Sequence, residues 1–559
     1  MRCVPCFVIP EDDERTAKPQ NVEWTTGSMS KPWWRKSNGF MTKSGMPSVL
    51  RGDVARTGLV VLQVLLLGSG PVWAAESGQA WRPITAVFHV HSSFSSGSDS
   101  LDTLAEQAKA DGIGAVFLTD NFLLRYEYGL FPLRGVIRRM VEMPSVLKAG
   151  VGRFLSSVGE ANLRHPGVML VAGVEVVPLY YWTGSVFSQN LTMHDAQKNI
   201  LVLGLRSEEE YARLPVAGNR GAYEYGWWTV AGLSPLLLIV PGIWLSTRRV
   251  DRKVRVGWTV MVVRERRMAL GLALLALAGL LLVNNYPFGV PAYDMYHDAQ
   301  GLRPHQHLID YVRERGGLTV WSMPEARDVH QFNYGRLGTV TVRTDPYPEA
   351  LLNTSGYTGF GAVYQDTITV TNPDGVWDRA LLEYARGARA RPPWGFGEIA
   401  YHTAGSAGIY LHQVQTVLWV RQRTQDALLD AMAKGRMYAL RRTKESGLVL
   451  DDFSLVSSDA GRIAISGETL QADGGGSIRA RIAVSTAEGK AAPVMVRVVK
   501  GGAVLATLAE TTPFSVTIED RGPVAGETTY YRLLIGSGAH RIVSNPIFVR
   551  GRAAATPNG

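Results

Sequence analysis

His89 and His91 stand two residues apart at the end of an apolar run that begins at Ile84. The run is rich in residues that favour strands, and side chains two positions apart on a strand point to the same side. Imidazoles are common ligands of zinc and other divalent metals. The spacing therefore predicts the beginning of a metal site. The alternative is that both are ordinary core histidines.

The residues after this pair indicate a β-α-β unit. Ser100 is suited to cap a helix whose apolar residues recur at helical spacing, and Gly112 is suited to end it. A second apolar strand then runs from Ile113 to Thr119 and is followed by Asp120 and Asn121.

This unit resembles the opening motif of the PHP (polymerase and histidinol phosphatase) family. In that family a strand ends in His-x-His-Ser/Thr, a helix ends in Gly, and the next strand ends in Thr-Asp-His. The chain matches this motif except at its last residue, where Asn121 stands in place of the histidine. The likeness extends from Ile84 to Leu440, with one interruption.

Three later segments resemble further motifs of the family. Val171 to Glu175 resembles its Gly-x-Glu strand, whose glutamate bridges metals. Gln306 to Glu325 resembles a helix, two glycines and a strand that ends in His-Pro-Glu, with Met323 in place of the histidine. The closing segment, which ends at His402, resembles Asp-x-His with Ala400 in place of the aspartate.

The resemblance implies an α/β fold, a distorted seven-stranded β/α barrel that gathers histidines and carboxylates at its strand ends. Family members hold up to three metals there, which generate a hydroxide and neutralise a phosphoryl group. Carried over to this chain, the metal ligands are His89, His91, Glu175 and His402, with His194 as a substitute. His330 and Glu398 are alternative substitutes, and catalytic roles pass to Asp120 and His402.

The replacements at three family positions reduce the expected number of metals. Asn121, Met323 and Ala400 cannot replace the missing imidazoles and carboxylate at full strength. We therefore expect fewer than three ions, with one site made of two imidazoles and a carboxylate. Such a ligand set suffices for a catalytic zinc with an open position. Zinc, manganese and iron all remain open, and a slow or absent hydrolase is the expected outcome.

The surroundings of Glu175 support a cation independently of the family. The residue stands on a strand between Val174 and Val176, and burial of an unpaired carboxylate costs several kcal/mol by order of magnitude. A metal or another cation nearby is therefore favoured.

Length and cysteine use bound the architecture. The chain has 559 residues, of which 46% are hydrophobic, so it suits roughly two or three domains. Its two cysteines are Cys3 and Cys6, so the remainder can hold neither a disulfide framework nor a zinc site with Cys ligands. The formal net charge of +9 is concentrated in part in one short loop.

The N-terminal region resembles a secretory signal. Residues 46–75 run from basic residues through the apolar block Leu59 to Leu67 and end in Ala74 and Ala75. This order predicts a signal peptide, and the block is shorter than the about 20 residues that cross a bilayer. Residues 1–45 are then an over-extended start or a disordered leader.

Two longer apolar stretches, 227–245 and 268–283, predict a transmembrane hairpin. The loop from Ser246 to Arg267 between them is strongly basic, and short loops rich in Lys and Arg stay cytoplasmic. Both flanks would then lie outside, and the loop would favour anionic lipids. The alternative is a pair of buried core helices, but the second stretch lacks the polar face of a soluble helix.

The hairpin would occupy an insertion, residues 207–304, between two barrel parts, residues 76–206 and 305–445. Residues 446–552 alternate short β-rich runs with Gly-rich turns, which predicts a β-sandwich, and residues 553–559 form a tail. The sandwich resembles the small immunoglobulin-like domain that follows PHP domains in secreted bacterial proteins, including those likened to carbaryl hydrolase. The segment from Tyr531 to Ile547 carries this likeness.

Two functions remain open. The first is a membrane-anchored, extracytoplasmic, metal-dependent hydrolase of a phosphoester or another small ester, in a bacterial inner membrane with its main domains on the periplasmic side. The second is a degenerate domain that binds a ligand, a metal or an envelope partner without turnover. The expected partners are membrane lipids and an unidentified small molecule. Nucleic-acid processing ranks below both, because the export signals remove the chain from DNA.

Overall fold

The computed structural model describes residues 80–552 except 298, 334–337, 367 and 459–460, and it leaves the Arg266 side chain undescribed. The predicted leader, signal peptide and tail lie outside the described residues.

The first part of the described chain combines short strands with three helices. Its strands are β1 (Arg82–Val90), β2 (Ala115–Leu118), β3 (Asp120–Asn121), β4 (Arg125–Gly129), β5 (Arg138–Glu142), β6 (Met169–Val171), β7 (Gly173–Val176), β8 (Tyr181–Thr183), β9 (Thr192–His194) and β10 (Ile200–Leu203). Its helices are α1 (Leu101–Ala110), α2 (Val146–Ala149) and α3 (Val151–Arg164). As predicted, Ser100 caps α1, because its side chain accepts a hydrogen bond from the Thr103 backbone N–H.

The middle part contains the apolar helices. Its helices are α4 (Glu208–Ala212), α5 (Trp227–Gly232), α6 (Ile239–Thr247) and α7 (Met268–Asn285). A 3-10 turn, Ser234–Leu238, joins α5 to α6. The stretches Trp227–Thr247 and Met268–Asn285 are long and apolar enough to cross a membrane, and few of their residues are buried.

The basic loop between the apolar helices has a regular structure that the sequence analysis missed. It forms an antiparallel hairpin of β11 (Arg249–Val256) and β12 (Thr259–Arg266). A Gly-Trp turn joins two runs that combine Val with charged residues, and β-branched residues on both sides of a short turn suit a two-stranded ribbon.

The remaining elements form the part before residue 446 and the C-terminal part. The helices are α8 (Arg303–Glu314), α9 (Ala350–Asn353), α10 (Val376–Ala385) and α11 (Gln425–Ala433). Strands before residue 446 are β13 (Leu318–Trp321), β14 (Asp328–Asn333), β15 (Thr339–Thr344), β16 (Gly359–Val363), β17 (Trp394–Gly397), β18 (Val414–Val420) and β19 (Met437–Arg441). Later strands are β20 (Leu448–Ser457), β21 (Ile463–Ile465), β22 (Thr469–Asp473), β23 (Ser477–Thr486), β24 (Pro493–Lys500), β25 (Ala503–Thr511), β26 (Phe514–Arg521), β27 (Thr528–Ser537), β28 (His540–Ser544) and β29 (Ile547–Arg552).

Strand β1 connects the two sheets that surround the histidine pair. In the larger sheet it runs parallel to β2 and antiparallel to β18. The second sheet has the order β17, β16, β13, β10, β7, β3. Only Thr119 separates β2 from β3, and Val90 of β1 pairs with Tyr401 after β17. The ends of β1, β3 and β7 therefore lie next to one another.

The strand directions depart from a regular β/α barrel. Strand β10 is antiparallel to both β7 and β13, whereas β16 is parallel to both β13 and β17. The fold is a mixed α/β structure, as predicted, and closure into a seven-stranded barrel stays a prediction.

The C-terminal strands are hydrogen-bonded to the preceding part rather than only linked to it. Strand β28 pairs with β19, and the Asn545 side chain bonds to the backbone of Gly395 and Met437. The β-rich run from Ile542 to Val549 is divided between two strands, β28 and β29. Pro546 between them lacks the N–H that a continuous ladder would need.

A buried ion pair also joins the C-terminal strands to α10. Arg532 on β27 donates two hydrogen bonds of 2.7 Å to the Asp378 carboxylate, and neither side chain is exposed. Tyr530 donates a third bond of 2.8 Å to the same carboxylate. The two opposite charges are therefore buried against each other, while Nη1 of Arg532 has no hydrogen-bond partner among the described residues.

We expect Asp378→Ala to lower the free energy of unfolding by about 3–5 kcal/mol, because it leaves a guanidinium buried without its counter-charge. Denaturant unfolding of the full chain in detergent measures the change. The double variant Asp378→Leu, Arg532→Met should recover at least half of the loss. A single variant as stable as the parent would contradict the importance of this pair.

Candidate metal centre

The histidine pair lies at an irregular end of β1. The register between β1 and β2 shifts between Phe88 and Val90, and His89 has a φ of 67°. Phe88 and Val90 are both buried in the core. The chain therefore bulges at His89, and the two imidazoles come together with ring centroids 5.1 Å apart.

Glu175 on β7 faces both histidines. Its Oε1 lies 3.1 Å from Nε2 of His89, and its Oε2 lies 3.7 Å from Nε2 of His91. The three residues are buried and offer ligand atoms within 4.8 Å of one another. The residues that the sequence selected as the first three ligands therefore converge.

Two amides also bind the Glu175 carboxylate. Asn121 donates to Oε2, and Asn199, which precedes β10, donates to Oε1. Asn121 stands where the family resemblance would place a histidine, and the sequence identified it only as a loss. In the structure both amides are donors that help to satisfy a buried carboxylate.

A second buried carboxylate holds the other side of the His89 ring. Nδ1 of His89 lies 3.3 Å from Oε2 of Glu398 and 3.1 Å from Oγ of Ser322. Ser322 donates to Glu398 at 3.1 Å, and the Met323 backbone N–H donates to the other Glu398 oxygen. Glu398, one of the substitute ligands suggested by the sequence, therefore orients His89 from the side away from Glu175.

His402 lies beside the group. Its ring stacks on that of His91 with centroids 4.3 Å apart, and its Nδ1 is 3.1 Å from Oγ of Ser96. Ser96 in turn donates to Oδ1 of Asn121 at 2.7 Å. The structure thus brings His402 to the same place as the first three ligands.

Asp120 lies next to the group but is directed to the loop after His91. Its carboxylate accepts from the Ser92 N–H at 2.8 Å, from Ser92 Oγ at 2.9 Å and from Ser95 Oγ at 2.7 Å. These bonds shape the loop that contains Ser96. The structure therefore shows a positioning contact for Asp120, and its catalytic role stays a prediction.

His194 and His330 lie outside the group of three. His194 on β9 is 2.7 Å from Oγ1 of Thr183 and stacks on Tyr181, with centroids 4.8 Å apart. His330 on β14 is 2.5 Å from Asp328. Neither residue is brought to Glu175 in the way that a substitute ligand would require.

Burial and nearby charges shift the pKa values of the site's histidines in opposite directions. Burial alone would lower the pKa of His89, but the Glu175 and Glu398 carboxylates outweigh it and raise that pKa to about 10. Burial, with the nearby His402 and His89, lowers the pKa of His91 well below its usual value. Burial also lowers the pKa of His402 to about 4. His91 and His402 are therefore neutral at pH 7, the form in which imidazole binds metal.

The residues fit a divalent metal. Nδ1 of His91 is buried and has no hydrogen-bond partner among the described residues, so this ring keeps a polar atom that the protein itself does not satisfy. Two imidazoles and one carboxylate, all buried, match the donor types of zinc and related divalent ions. His89 would have to lose its proton to bind, so binding should strengthen as pH rises.

Comparisons with known proteins give low sequence identities and low TM-scores. No family model and no curated protein matches the chain. A two-domain protein from Bacteroides vulgatus, described as containing a predicted PHP-like metal-dependent phosphoesterase, is 10% identical over 81% of this chain and 90% of its own, with a TM-score of 0.31.

Two other solved structures overlap less of the chain. A putative metal-dependent phosphoesterase from Bifidobacterium adolescentis is 16% identical over 58% of this chain and 89% of its own, with a TM-score of 0.25. An amidohydrolase from Chromobacterium violaceum is 15% identical over 58% and 90%, also with a TM-score of 0.25. These values do not assign the chain to a family.

We expect the purified full chain to bind one divalent metal ion, and the double variant His89→Ala, His91→Ala to lose it. The reason is that this change removes both imidazoles of the donor set. Metal analysis after exposure to zinc or manganese measures the content.

The matched control is His165→Ala, His297→Ala, which removes two histidines outside the cluster and should keep the metal. Equal metal content in both double variants would contradict the site.

Proposed function

We propose that the chain is a membrane-anchored, extracytoplasmic hydrolase of the PHP type that uses one divalent metal to cleave a phosphoester or another small ester. The buried group of His89, His91 and Glu175 at converging strand ends is the observation that carries the proposal. The motif resemblance supplies the reaction class.

Each side chain at the site has a distinct task in this proposal. A bound divalent ion would act as a Lewis acid and lower the pKa of water. His89, His91 and Glu175 would hold it, with His402 adjacent to receive or supply a proton. Glu398 fixes the ring of His89, and the Ser96 hydroxyl fixes that of His402. Orientation of ligands by such neighbours typically changes metal affinity about 10- to 100-fold.

The proposed scaffold is a closed barrel of seven strands followed by a β-sandwich. The strands would be β1, β2 with β3, β6 with β7, β10, β13, β16 and β17. The bridge between Val90 and Tyr401 supports closure, because it links β1 to the segment after β17. The sheet of β21, β20, β23 and β26 would form one layer of the sandwich.

The proposed location is the periplasmic face of a bacterial inner membrane. The two apolar stretches support membrane anchoring, and the basic hairpin β11–β12 between them supports its placement in the cytoplasm. Positive side chains on that hairpin would contact anionic lipid headgroups. A small-molecule substrate would meet the metal site on the other side, away from nucleic acid.

A binding protein without turnover is the second candidate. The amides of Asn121 and Asn199 favour it, because they satisfy Glu175 where a second metal would otherwise do so. A two-metal clamp stabilises both the attacking and the leaving oxygen, and this chain would lack it.

The decisive experiment is hydrolysis of generic phosphoesters and carboxylic esters by the metal-loaded full chain. We expect measurable turnover that falls at least about 100-fold in His89→Ala, His91→Ala, equivalent to about 2.7 kcal/mol of lost transition-state stabilisation. His165→Ala, His297→Ala should keep the parent rate. A metal-loaded parent no faster than the histidine double variant would favour the binding protein.

We expect only the β11–β12 hairpin of the described chain to lie in the cytoplasm. A reporter that is active only in the cytoplasm should give no signal when fused after Gly559. The same reporter inserted at the Gly257–Trp258 turn should be active. A bright fusion after Gly559 or a dark one at the turn would reverse the orientation.

A further inference from the structure

The loops beside the metal residues extend to the ends of the apolar helices. Asn121 ends β3, and the hairpin of β4 and β5 begins at Arg125. Glu175 lies on β7, and β8 begins at Tyr181. Both loops therefore leave strands at the end where the candidate ligands lie.

The β4–β5 hairpin contacts the end of α7 directly. The backbone N–H of Gly135, which lies in the turn of this hairpin, donates to Oδ1 of Asn284 at 2.9 Å. A Cβ atom added at Gly135 would clash with the Asn284 carbonyl oxygen, so only glycine permits this approach. The Gly129 N–H donates to the Tyr296 hydroxyl at 2.8 Å, and the Arg134 guanidinium lies 4.0 Å from the centre of the Tyr296 ring.

The β8 segment contacts the same region. The Trp182 backbone N–H donates to the Met295 carbonyl at 2.8 Å, and its indole N–H donates to the Glu127 carbonyl at 2.9 Å. Glu224, just before α5, pairs with Val290 after α7. The strand-end loops and both helix ends are therefore one bonded assembly.

This assembly exposes apolar and aromatic side chains around the helix ends. Phe131 at the hairpin turn is 82% exposed, and Trp227 at the start of α5 is 76% exposed. The other members of this interfacial surface are Ile137, Met140, Tyr225, Trp228 and Tyr286. Soluble monomers rarely expose large apolar patches, whereas Trp and Tyr concentrate where membrane helices leave the bilayer. Arg138 and Arg139, also exposed, could contact lipid phosphates.

We propose that the interfacial surface rests on the bilayer at this end of the helices, and that the substrate is the phosphodiester headgroup of a membrane lipid. The contacts from β4–β5 and β8 to the helix ends turn the metal residues to that leaflet. The inference rests on the proposed hydrolase function and on membrane insertion of the hairpin. In the reaction, water adds to phosphorus, one phosphorus–oxygen bond to an alcohol breaks, and the alcohol leaves with a proton. The products are a phosphomonoester and an alcohol.

The position of the surface is tested without catalysis. In the full chain with Cys3→Ser and Cys6→Ser, single cysteines replace Phe131, Leu163 or Leu277 and carry a fluorophore. The protein is placed in nanodiscs of phosphatidylcholine and phosphatidylglycerol that contain nitroxide-labelled lipid. Quenching is expected for the label at residue 131 and for that at residue 277 within α7. The label at residue 163, at the far end of α3, should stay unquenched.

The three labels distinguish the results that would contradict the proposal. Quenching at residue 277 without quenching at residue 131 would overturn the bilayer contact while leaving the membrane helices intact. Absence of quenching at residue 277 would overturn membrane insertion itself. Equal quenching at residues 131 and 163 would overturn the assigned orientation.

The substrate class is tested with phosphatidylglycerol in bilayers and with water-soluble glycerophosphoglycerol, both with manganese. We expect the lipid to be cleaved at least about tenfold faster than its soluble counterpart. The variant Phe131→Ser, Ile137→Ser, Met140→Ser should lower lipid cleavage at least about tenfold, and the matched Leu163→Ser should leave it unchanged. Equal rates on both compounds would assign the substrate to water-soluble phosphoesters. No cleavage of either would overturn the hydrolase function and the lipid substrate together, while residue 131 quenching would still decide the bilayer contact.

Discussion

The buried carboxylate of Glu175 is the constraint on which the site depends. It is only 6% exposed, on a strand whose neighbours are apolar, so several kcal/mol by order of magnitude would be lost if it had no partner. His89, Asn121 and Asn199 all contact it, and each comes from a different strand end. Strand β7 pairs with β3 on one side and with β10 on the other, which sets Asn121 and Leu201 directly opposite Glu175. Satisfaction of one charge thus fixes the relative positions of β1, β3, β7 and β10.

A second set of contacts holds the His89 ring on the side away from Glu175. Glu398 accepts from Ser322 and from the Met323 backbone, and it fits because Gly361 has no side chain that would collide with it. Met323 and Ala400 have φ values of 40° and 45°, which non-glycine residues adopt only where the surroundings enforce them. Neither side chain can bind a metal as an imidazole or carboxylate would, yet the backbone at both positions folds around the site. The hydrogen bonds to Glu398 help to hold this shape.

Local patterns predicted the parts of this site that are set by one strand or one helix. The His-x-His strand, the Ser100 cap and the carboxylate at Glu175 could all be identified from spacing and hydrophobic context. The bulge at His89 could not, because it depends on register with β2. The contact between His89 and Glu398 spans 309 residues, and no sequence spacing encodes it. Asn199 illustrates the same limit, since only the pairing of β10 with β7 gives its amide a partner. The basic hairpin β11–β12 was not predicted, because its valines do not follow the strict alternation that identifies a strand.

The loops beside the candidate metal ligands are bonded to the ends of the apolar helices. Loops that follow Asn121 and Glu175 bond to the helix ends, so in the proposed enzyme the same segments would serve anchoring and chemistry. A membrane enzyme of this kind would gain local substrate concentration from its anchor rather than from a deep pocket. The proposed function depends on whether the buried residues bind metal. X-ray absorption spectroscopy of the zinc-loaded full chain tests this most directly. It should show two or three imidazoles at about 2.0–2.1 Å and at least one oxygen, whereas a zinc surrounded by oxygen alone would contradict it.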